Sequence, residues 1–200
     1  MRILLLTLLL FSAGTSQAAD PFTFTSPKTW RSERIPFPLG FAPELKYKGF
    51  EELRFGPGMF QPKSDTYWTY VFFWWIEGDV NLGQQQLEQD LDNYYRGLSR
   101  AVGGRKFKIE TSKVASSVTA VVQKNLDDPI FTGTLNTYDA FATGKLLKLN
   151  LEISRRHFAK LNRTFYFFAV SPKPRNEPVW KQMQAIGSSF KVKQPTNQTK

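Results

Sequence analysis

Seven side chains in the sequence have the chemistry to bind a ligand, and they fall into three groups. Indole and phenol rings within one apolar stretch could form a platform for sugar rings or other apolar molecules. A carboxylate interrupts a second apolar stretch, and two adjacent guanidinium groups that could hold an anion precede the histidine. The candidate ligand-binding residues are Trp68, Tyr70, Trp74, Asp139, Arg155, Arg156 and His157.

The aromatic group lies in residues 66–77 (TYWTYVFFWWIE), where aromatic and β-branched residues follow one another along a predicted strand. A period of two is also what a buried sheet requires, so core packing competes with ligand binding as the explanation. Trp74 and Trp75 would lie on opposite faces of this strand. We therefore expect one face to meet the helices and the other to meet either a Pro/Phe-rich segment or a ligand.

Asp139 and His157 are the two candidates with acid–base chemistry. Asp139 falls within TYDAF, in a predicted strand at residues 130–141, and could bond a backbone edge, pair with an arginine or contact a ligand. His157 is the only histidine, so a Ser-His-Asp arrangement would have to use it as the general base. The alternative for His157 is a surface or rim position at the end of a hairpin.

The composition excludes several kinds of site. The chain has no cysteine and one histidine, which rules out disulfides, thiolate ligands and a zinc site built from several of its own histidines. Neither a glycine-rich phosphate-binding pattern nor the nucleophile elbow G-x-S-x-G occurs. Asp127 and Asp128 precede Pro129 in a pattern typical of a turn. We therefore predict no catalytic residue, no metal and no cofactor, with a carboxylate-dependent hydrolase as an alternative.

Periodicity predicts an α+β fold, an antiparallel β-sheet with one long central helix and one C-terminal helix packed on it. Residues 81–102 carry leucines and tyrosines at helical spacing, with Asn81 as the predicted N-cap. Asn176 is the predicted cap of the second helix, which Gly187 would end. Strands are predicted at residues 49–55, 66–77, 106–111, 116–124, 130–141, 146–158, 164–170 and 188–192.

The N-terminal residues have the pattern of an export signal. Met1 and Arg2 precede an apolar run at residues 3–11 and small residues up to Ala18, as in a secretory signal peptide. The expected location is the periplasm or the cell exterior, and no apolar run has the length of a membrane-spanning helix. The predicted segments are a signal peptide at 1–18, a Pro/Phe-rich covering segment at 19–48, a single α+β domain at 49–193 and a polar tail at 194–200.

The net charge of +10 is concentrated in the second half of the chain. Residues 101–200 hold 17 basic and 6 acidic side chains, whereas residues 19–100 hold 9 and 11. Such asymmetry is typical of a surface that meets anionic components of the cell envelope, and Arg155 and Arg156 would concentrate positive potential at one end of the sheet. A solubilising surface is the alternative. Nucleic acid is not expected, because no binding motif accompanies the charge.

The order of elements resembles the PsbP-like superfamily, which includes small exported bacterial proteins of the DcrB type. The resemblance rests on the helix NLGQQQLEQDLDNYYRGLSRAVGG, the strand TFYFFAVSP and the closing NEPVWKQMQAIGSSFKV, and it covers roughly residues 50–192. It implies a PsbP-like sandwich and an accessory, assembly or binding role, but no functional residue carries over with it.

Together these features predict an exported, non-enzymatic binding or accessory protein of the cell envelope. Its partners would be an apolar or sugar-like small molecule, or anionic envelope components, and the oligomeric state is left open. The alternatives are a secreted carboxylate-dependent hydrolase and a basic structural protein of the envelope.

Overall fold

The computed structural model describes residues 20–122, 124–125 and 128–193. The predicted signal peptide, the predicted polar tail and Asp127 lie outside these residues. Neither helix in the described part of the chain combines the length and the hydropathy that a membrane span requires.

Two helices and a large antiparallel sheet confirm the predicted α+β class. The helices are α1 (Gln84–Gly103) and α2 (Pro178–Ser188). The strands are β1 (Phe22–Thr23), β2 (Arg31–Pro36), β3 (Gly49–Phe55), β4 (Tyr70–Glu77), β5 (Ala115–Ala120), β6 (Phe131–Tyr138), β7 (Leu146–Phe158), β8 (Arg163–Ser171) and β9 (Lys191–Val192). Seven of them form one sheet in the order β2-β3-β4-β8-β7-β6-β5, while β1 pairs with β9. The edges of the large sheet are therefore β2 and β5.

The middle of the sheet is covered on both faces. Tyr70, Phe72 and Trp74 of β4 pack in one core with the apolar side of α1, whereas Phe73 and Trp75 pack in a second core with α2. Each helix therefore takes one face, rather than both sharing a face as expected. The strands at the centre are apolar throughout because neither of their faces meets water.

One edge of the sheet lies within the segment predicted only to cover the core. The sequence of β2, RSERIP, has a single apolar residue before its proline and lacks the alternation that identifies a strand. Pro36 is tolerated because it ends an edge strand, where a missing N–H leaves no interior ladder bond unmade. After it, Leu39 and Ala42 are buried against the α1 face, as a covering segment would be.

The start of α1 differs from the prediction. Gly83 is the N-cap residue and no side chain caps the helix, so the assignment of Asn81 as the cap is wrong. After the helix, residues 106–111 form no strand; a short 3-10 turn at Thr111–Lys113 leads into β5 instead.

The second helix also has different ends. Its N-cap position is Glu177 rather than Asn176. Gly187 lies inside the helix instead of ending it. A Cβ at this position would lie only 2.9 Å from the ring of Phe167. The glycine therefore permits close packing of helix on sheet.

Side chains of α1 cover the outer edge of β5. The carboxylate of Asp92 accepts from the Ser116 N–H at 2.6 Å, and that of Glu88 accepts from the Val118 N–H at 2.8 Å. One turn further along, Arg96 donates to the carbonyl oxygens of two residues that precede β5. Residues spaced by four along the helix thus occupy backbone groups that a neighbouring strand would otherwise pair with.

Candidate functional site

An apolar cavity of about 230 Å³ lies between α1 and the end of the sheet formed by β2, β3 and β4. Its walls include two of the predicted ligand-binding residues, Trp68 and Tyr70. Half of the lining side chains are aromatic, and one is charged. The lining residues are Glu33, Ile35, Phe41, Leu53, Phe55, Met59, Trp68, Tyr70, Tyr94, Leu98, Val102 and Phe141.

Asp139 holds one wall of the cavity in place. It is completely buried, and it lies in the turn after β6 rather than in a strand. Its oxygens accept hydrogen bonds from the Tyr67 hydroxyl at 2.7 Å and the Trp68 indole at 3.1 Å. They also accept from the backbone N–H groups of three successive residues, 141–143. Asp139 is therefore a positioning residue for Trp68 and for the turn that carries Phe141.

The balance of burial and hydrogen bonding sets the charge of Asp139. Burial alone would raise its pKa, but the bonds from Tyr67, Thr143 and Trp68 together outweigh it and hold the pKa below the ordinary value. With five donors directed at it, the carboxylate stays ionised and its lone pairs are used within the protein.

Tyr70 and Trp74 share a face of β4 but differ in their relation to the cavity. The hydroxyl of Tyr70 is hydrogen-bonded to that of Tyr95 on α1, which fixes the ring in the wall. Trp74 is fully buried deeper in the same core and does not line the cavity. The structure therefore favours core packing as the role of Trp74.

A loop at residues 39–45 crosses α1 beside the cavity. The ring of Phe41 packs edge-on against Tyr94, with 5.0 Å between ring centroids. The crossing depends on Gly97, because a Cβ there would lie 1.8 Å from the carbonyl oxygen of Phe41. A more polar cleft of about 380 Å³, which includes Arg96 and Arg100, lies on the other side of Phe41.

Glu51 in β3 places a buried carboxyl next to the cavity. Its strand neighbour Leu53 and its register partner Ile35 both line the cavity. Neither oxygen of Glu51 makes a well-aligned hydrogen bond, although Tyr94 and Trp74 come close. Burial raises the pKa of Glu51 to about 8, and the proximity of those two side chains offsets only part of the effect. The carboxyl is therefore mainly protonated at neutral pH.

Arg155 and Arg156 lie on opposite faces of β7, so the expected concentration of positive charge does not form. The Arg155 guanidinium donates to the Val80 carbonyl at 2.8 Å and forms an ion pair with Asp79. The Arg156 guanidinium donates to the Gly187 carbonyl at 3.0 Å, where α2 ends, and packs over aromatic rings. Adjacent residues of a strand necessarily point to opposite sides, and here each arginine bonds to groups on its own face of the sheet.

His157 has a structural environment rather than that of a general base. Its Nδ1 lies 3.6 Å from the Asp79 carboxylate and 3.4 Å from the Thr164 hydroxyl. Both groups face the same ring nitrogen, whereas a relay needs the hydroxyl on one nitrogen and the carboxylate on the other. The Thr164 hydroxyl already donates to the Gly78 carbonyl at 2.7 Å. Among the described residues, no cluster of three or more His, Asp or Glu side chains could hold a metal ion.

The structure thus brings together only part of the predicted site. Trp68, Tyr70 and Asp139 meet at the cavity, whereas Arg155, Arg156 and His157 lie elsewhere in the sheet. Glu51 was not predicted, although the sequence GFEELRF contains the signal: alternation places Glu51 on the same face as Leu53.

No protein-family model and no curated protein matches the chain. It is similar in structure to the Ran-binding protein Mog1p of Saccharomyces cerevisiae, with a TM-score of 0.39 and 12% identity over 86% of this chain and 90% of that one. It is also similar to the PsbP (CyanoP) of the cyanobacterium Synechocystis sp. PCC 6803, with a TM-score of 0.38 and 11% identity over 89% of this chain and 90% of that one. A third similar structure is LpqN of Mycobacterium tuberculosis, which is involved in cell envelope biogenesis. Its TM-score is 0.34, with 12% identity over 88% of each chain. These similarities concern the fold alone.

Proposed function

We propose that this protein is an exported, non-enzymatic binding protein that holds a small apolar group in the cavity between α1 and strands β2–β4. The observation that carries this proposal is the cavity wall, in which eleven of twelve lining residues are uncharged and six carry aromatic rings. Clefts of this kind, apolar with a few fixed polar groups, are the usual form of small-molecule sites. The predicted export signal in residues 1–18 supports a role in the cell envelope.

The size of the cavity limits the ligand. Sites for drug-sized molecules have volumes of about 300–1,000 Å³, whereas this cavity has about 230 Å³. It therefore suits a single ring with a short chain, or the apolar end of a longer molecule. Tyr70 and Trp68 are fixed by their hydrogen bonds to Tyr95 and Asp139, so the wall is preformed and binding orders few additional side chains.

A filled cavity provides the test of this proposal. Val102 lines the cavity from α1 and is half-buried, so Val102→Trp would place an indole in the space that the ligand needs. Val179 on α2 is also half-buried but lies on the other side of the sheet, which makes Val179→Trp a matched control. Phenylpropanol serves as the probe, and its binding is followed by isothermal titration and by ligand-observed NMR.

We expect phenylpropanol to bind the wild-type protein and Val179→Trp alike and to lose at least about tenfold in affinity for Val102→Trp. Circular dichroism of both variants checks that the fold is retained. Native mass spectrometry of the protein purified from its own host should also show a bound small molecule. Equal binding by Val102→Trp and the wild-type protein, or no binding by either, would show that the cavity is not the site.

A further inference from the structure

We propose that the ligand of this cavity is an organic cation, an ammonium group joined to an apolar or aromatic body. The inference rests on the proposed function and assigns the chemical class of its ligand. Two independent features of the cavity point to it: the aromatic rings around it and the sign of the charge in its wall.

Aromatic rings surround the cavity from the sheet, the helix and three loops. The face of an aromatic ring carries negative electrostatic potential, so several rings around one space attract a cation, above all one with a weakly hydrated organic surface. Tyrosine and tryptophan, the stronger partners in such contacts, supply half of the rings. The rings are those of Phe41, Phe55, Trp68, Tyr70, Tyr94 and Phe141.

The charged groups at the cavity are acidic. Glu33 is the one charged residue in its wall, and it is exposed, which places its carboxylate at the mouth. No ion pair of Glu33 is found among the described residues. The adjacent Arg34 forms ion pairs with Asp20 and Glu52, and Arg31, two positions before Glu33, lies over the ring of Phe60 at 5.0 Å from the centroid. Phe60 is outside the cavity wall, so this cation is held beside the site rather than in it.

Glu51 adds a second acidic group behind the wall. Its carboxyl is fully buried and lacks a well-aligned hydrogen bond, so no basic partner neutralises it. Burial, with the charge of Glu33 as a smaller cause, raises the pKa of Glu51 to about 8 and keeps it mainly protonated at neutral pH. The negative charge at the cavity is therefore that of Glu33, which would attract an ammonium group held among the rings and repel a carboxylate or phosphate ligand.

Three probes with one body and different head groups test the assignment. Phenylpropylammonium, phenylpropanol and phenylpropanoate present a cation, a neutral group and an anion on the same phenylpropyl chain. Each is titrated at neutral pH and low salt into the wild-type protein, Glu33→Gln and Val102→Trp. Glu44→Gln is the control, because Glu44 is an exposed glutamate that does not line the cavity.

We expect the cation to bind about tenfold more tightly than the alcohol and the anion to bind most weakly. Glu33→Gln should lower the affinity for the cation by about threefold and leave that for the alcohol unchanged, while Glu44→Gln should change neither. Val102→Trp should abolish binding of both probes.

Other outcomes separate this inference from the proposed function. If the alcohol binds at least as tightly as the cation, or if Glu33→Gln leaves the preference for the cation intact, the assignment of the ligand class is wrong while the cavity remains a binding site. Cation binding that survives in Val102→Trp would place the cation outside the cavity and overturn the inference. If none of the three probes binds, both proposals fail.

Discussion

Replacing Glu51 with glutamine should stabilise the protein, and the gain should grow with pH. In the folded protein burial raises the pKa of Glu51 to about 8, compared with an ordinary value of 4.5. Between these two values the unfolded chain releases the proton that the folded protein retains. The stability that depends on the protonation of Glu51 is therefore fully present below about pH 4.5 and is lost as the pH rises toward 8. Glutamine has nearly the same shape, does not titrate and avoids this loss.

The magnitude follows from the separation of the two pKa values. Each unit of separation corresponds to about 1.4 kcal/mol, and Glu51 has no exposed area through which solvent would screen it. The difference in unfolding free energy between Glu51→Gln and the wild-type protein should therefore rise by about 5 kcal/mol from acidic to mildly alkaline pH.

Urea unfolding of both proteins across this pH range measures the difference directly. Other titrating groups contribute equally to both proteins and cancel. The control is Glu44→Gln, at an exposed glutamate, for which the difference from the wild-type protein should stay nearly constant. A difference for Glu51→Gln that is equally flat would mean that Glu51 ionises normally, and the argument from its burial would be refuted.

Three further predictions concern packing. Trp74→Ala should lower the unfolding free energy by about 3–5 kcal/mol. Trp74→Phe should cost clearly less, because it keeps an aromatic ring in the core while removing the unpartnered indole N–H. Equal losses for the two variants in thermal unfolding would contradict this. Asp139→Asn should cost about 2–3 kcal/mol at neutral pH, because its amide would face other donors. Since hydrogen bonds outweigh burial and hold the Asp139 pKa below 3.8, that cost should shrink as the pH falls below this value. Gly97→Ala should cost about 1–3 kcal/mol by displacing Phe41, while Gly40→Ala, with open space around it, should not share this loss.

The sequence predictions that agree best with the structure concern elements in which each face is clearly polar or clearly apolar. The alternation along residues 146–158 predicts β7 with the bounds that the structure shows. The doubly apolar run that includes Trp74 and Trp75 predicts either a strand covered on both sides or a strand with one face lining a pocket, and the two cores show the first of these for Trp74 and Trp75. In both cases, burial leaves a regular pattern in the sequence.

Edges and ends are where sequence patterns fail. The strand β2 is exposed along most of its length, so no burial constrains its residues to alternate. The run of residues 66–77 was predicted to be one strand, but Trp68 has a left-handed backbone with φ of 48° and β4 begins at Tyr70. This bend directs Trp68 toward Asp139, a contact across 71 residues of sequence that no local pattern could reveal.

In the candidate site too, local patterns predict the positions of single residues but not the contacts between distant segments. Alternation alone places Tyr70 on the same strand face as Trp74, and the structure shows that this face packs against α1. Arg155 and Arg156 were expected to act together, although adjacent positions of a strand already imply opposite faces. The cavity itself arises from the packing of α1 and the loop around Phe41 against the sheet. It depends on distant segments meeting, which composition and periodicity do not determine.

The unequal edges of the large sheet limit how copies of the protein could join. Strand-by-strand polymerisation into a fibril requires every copy to offer two free edges. At β5, Glu88 and Asp92 occupy the outward N–H groups of Ser116 and Val118, so this edge cannot propagate such growth. At the other edge, no strand pairs with the outer side of β2 in the part of the chain that the structure describes. A second copy that paired there would use its own β2, and the resulting two-fold pair would have no free edge left to extend.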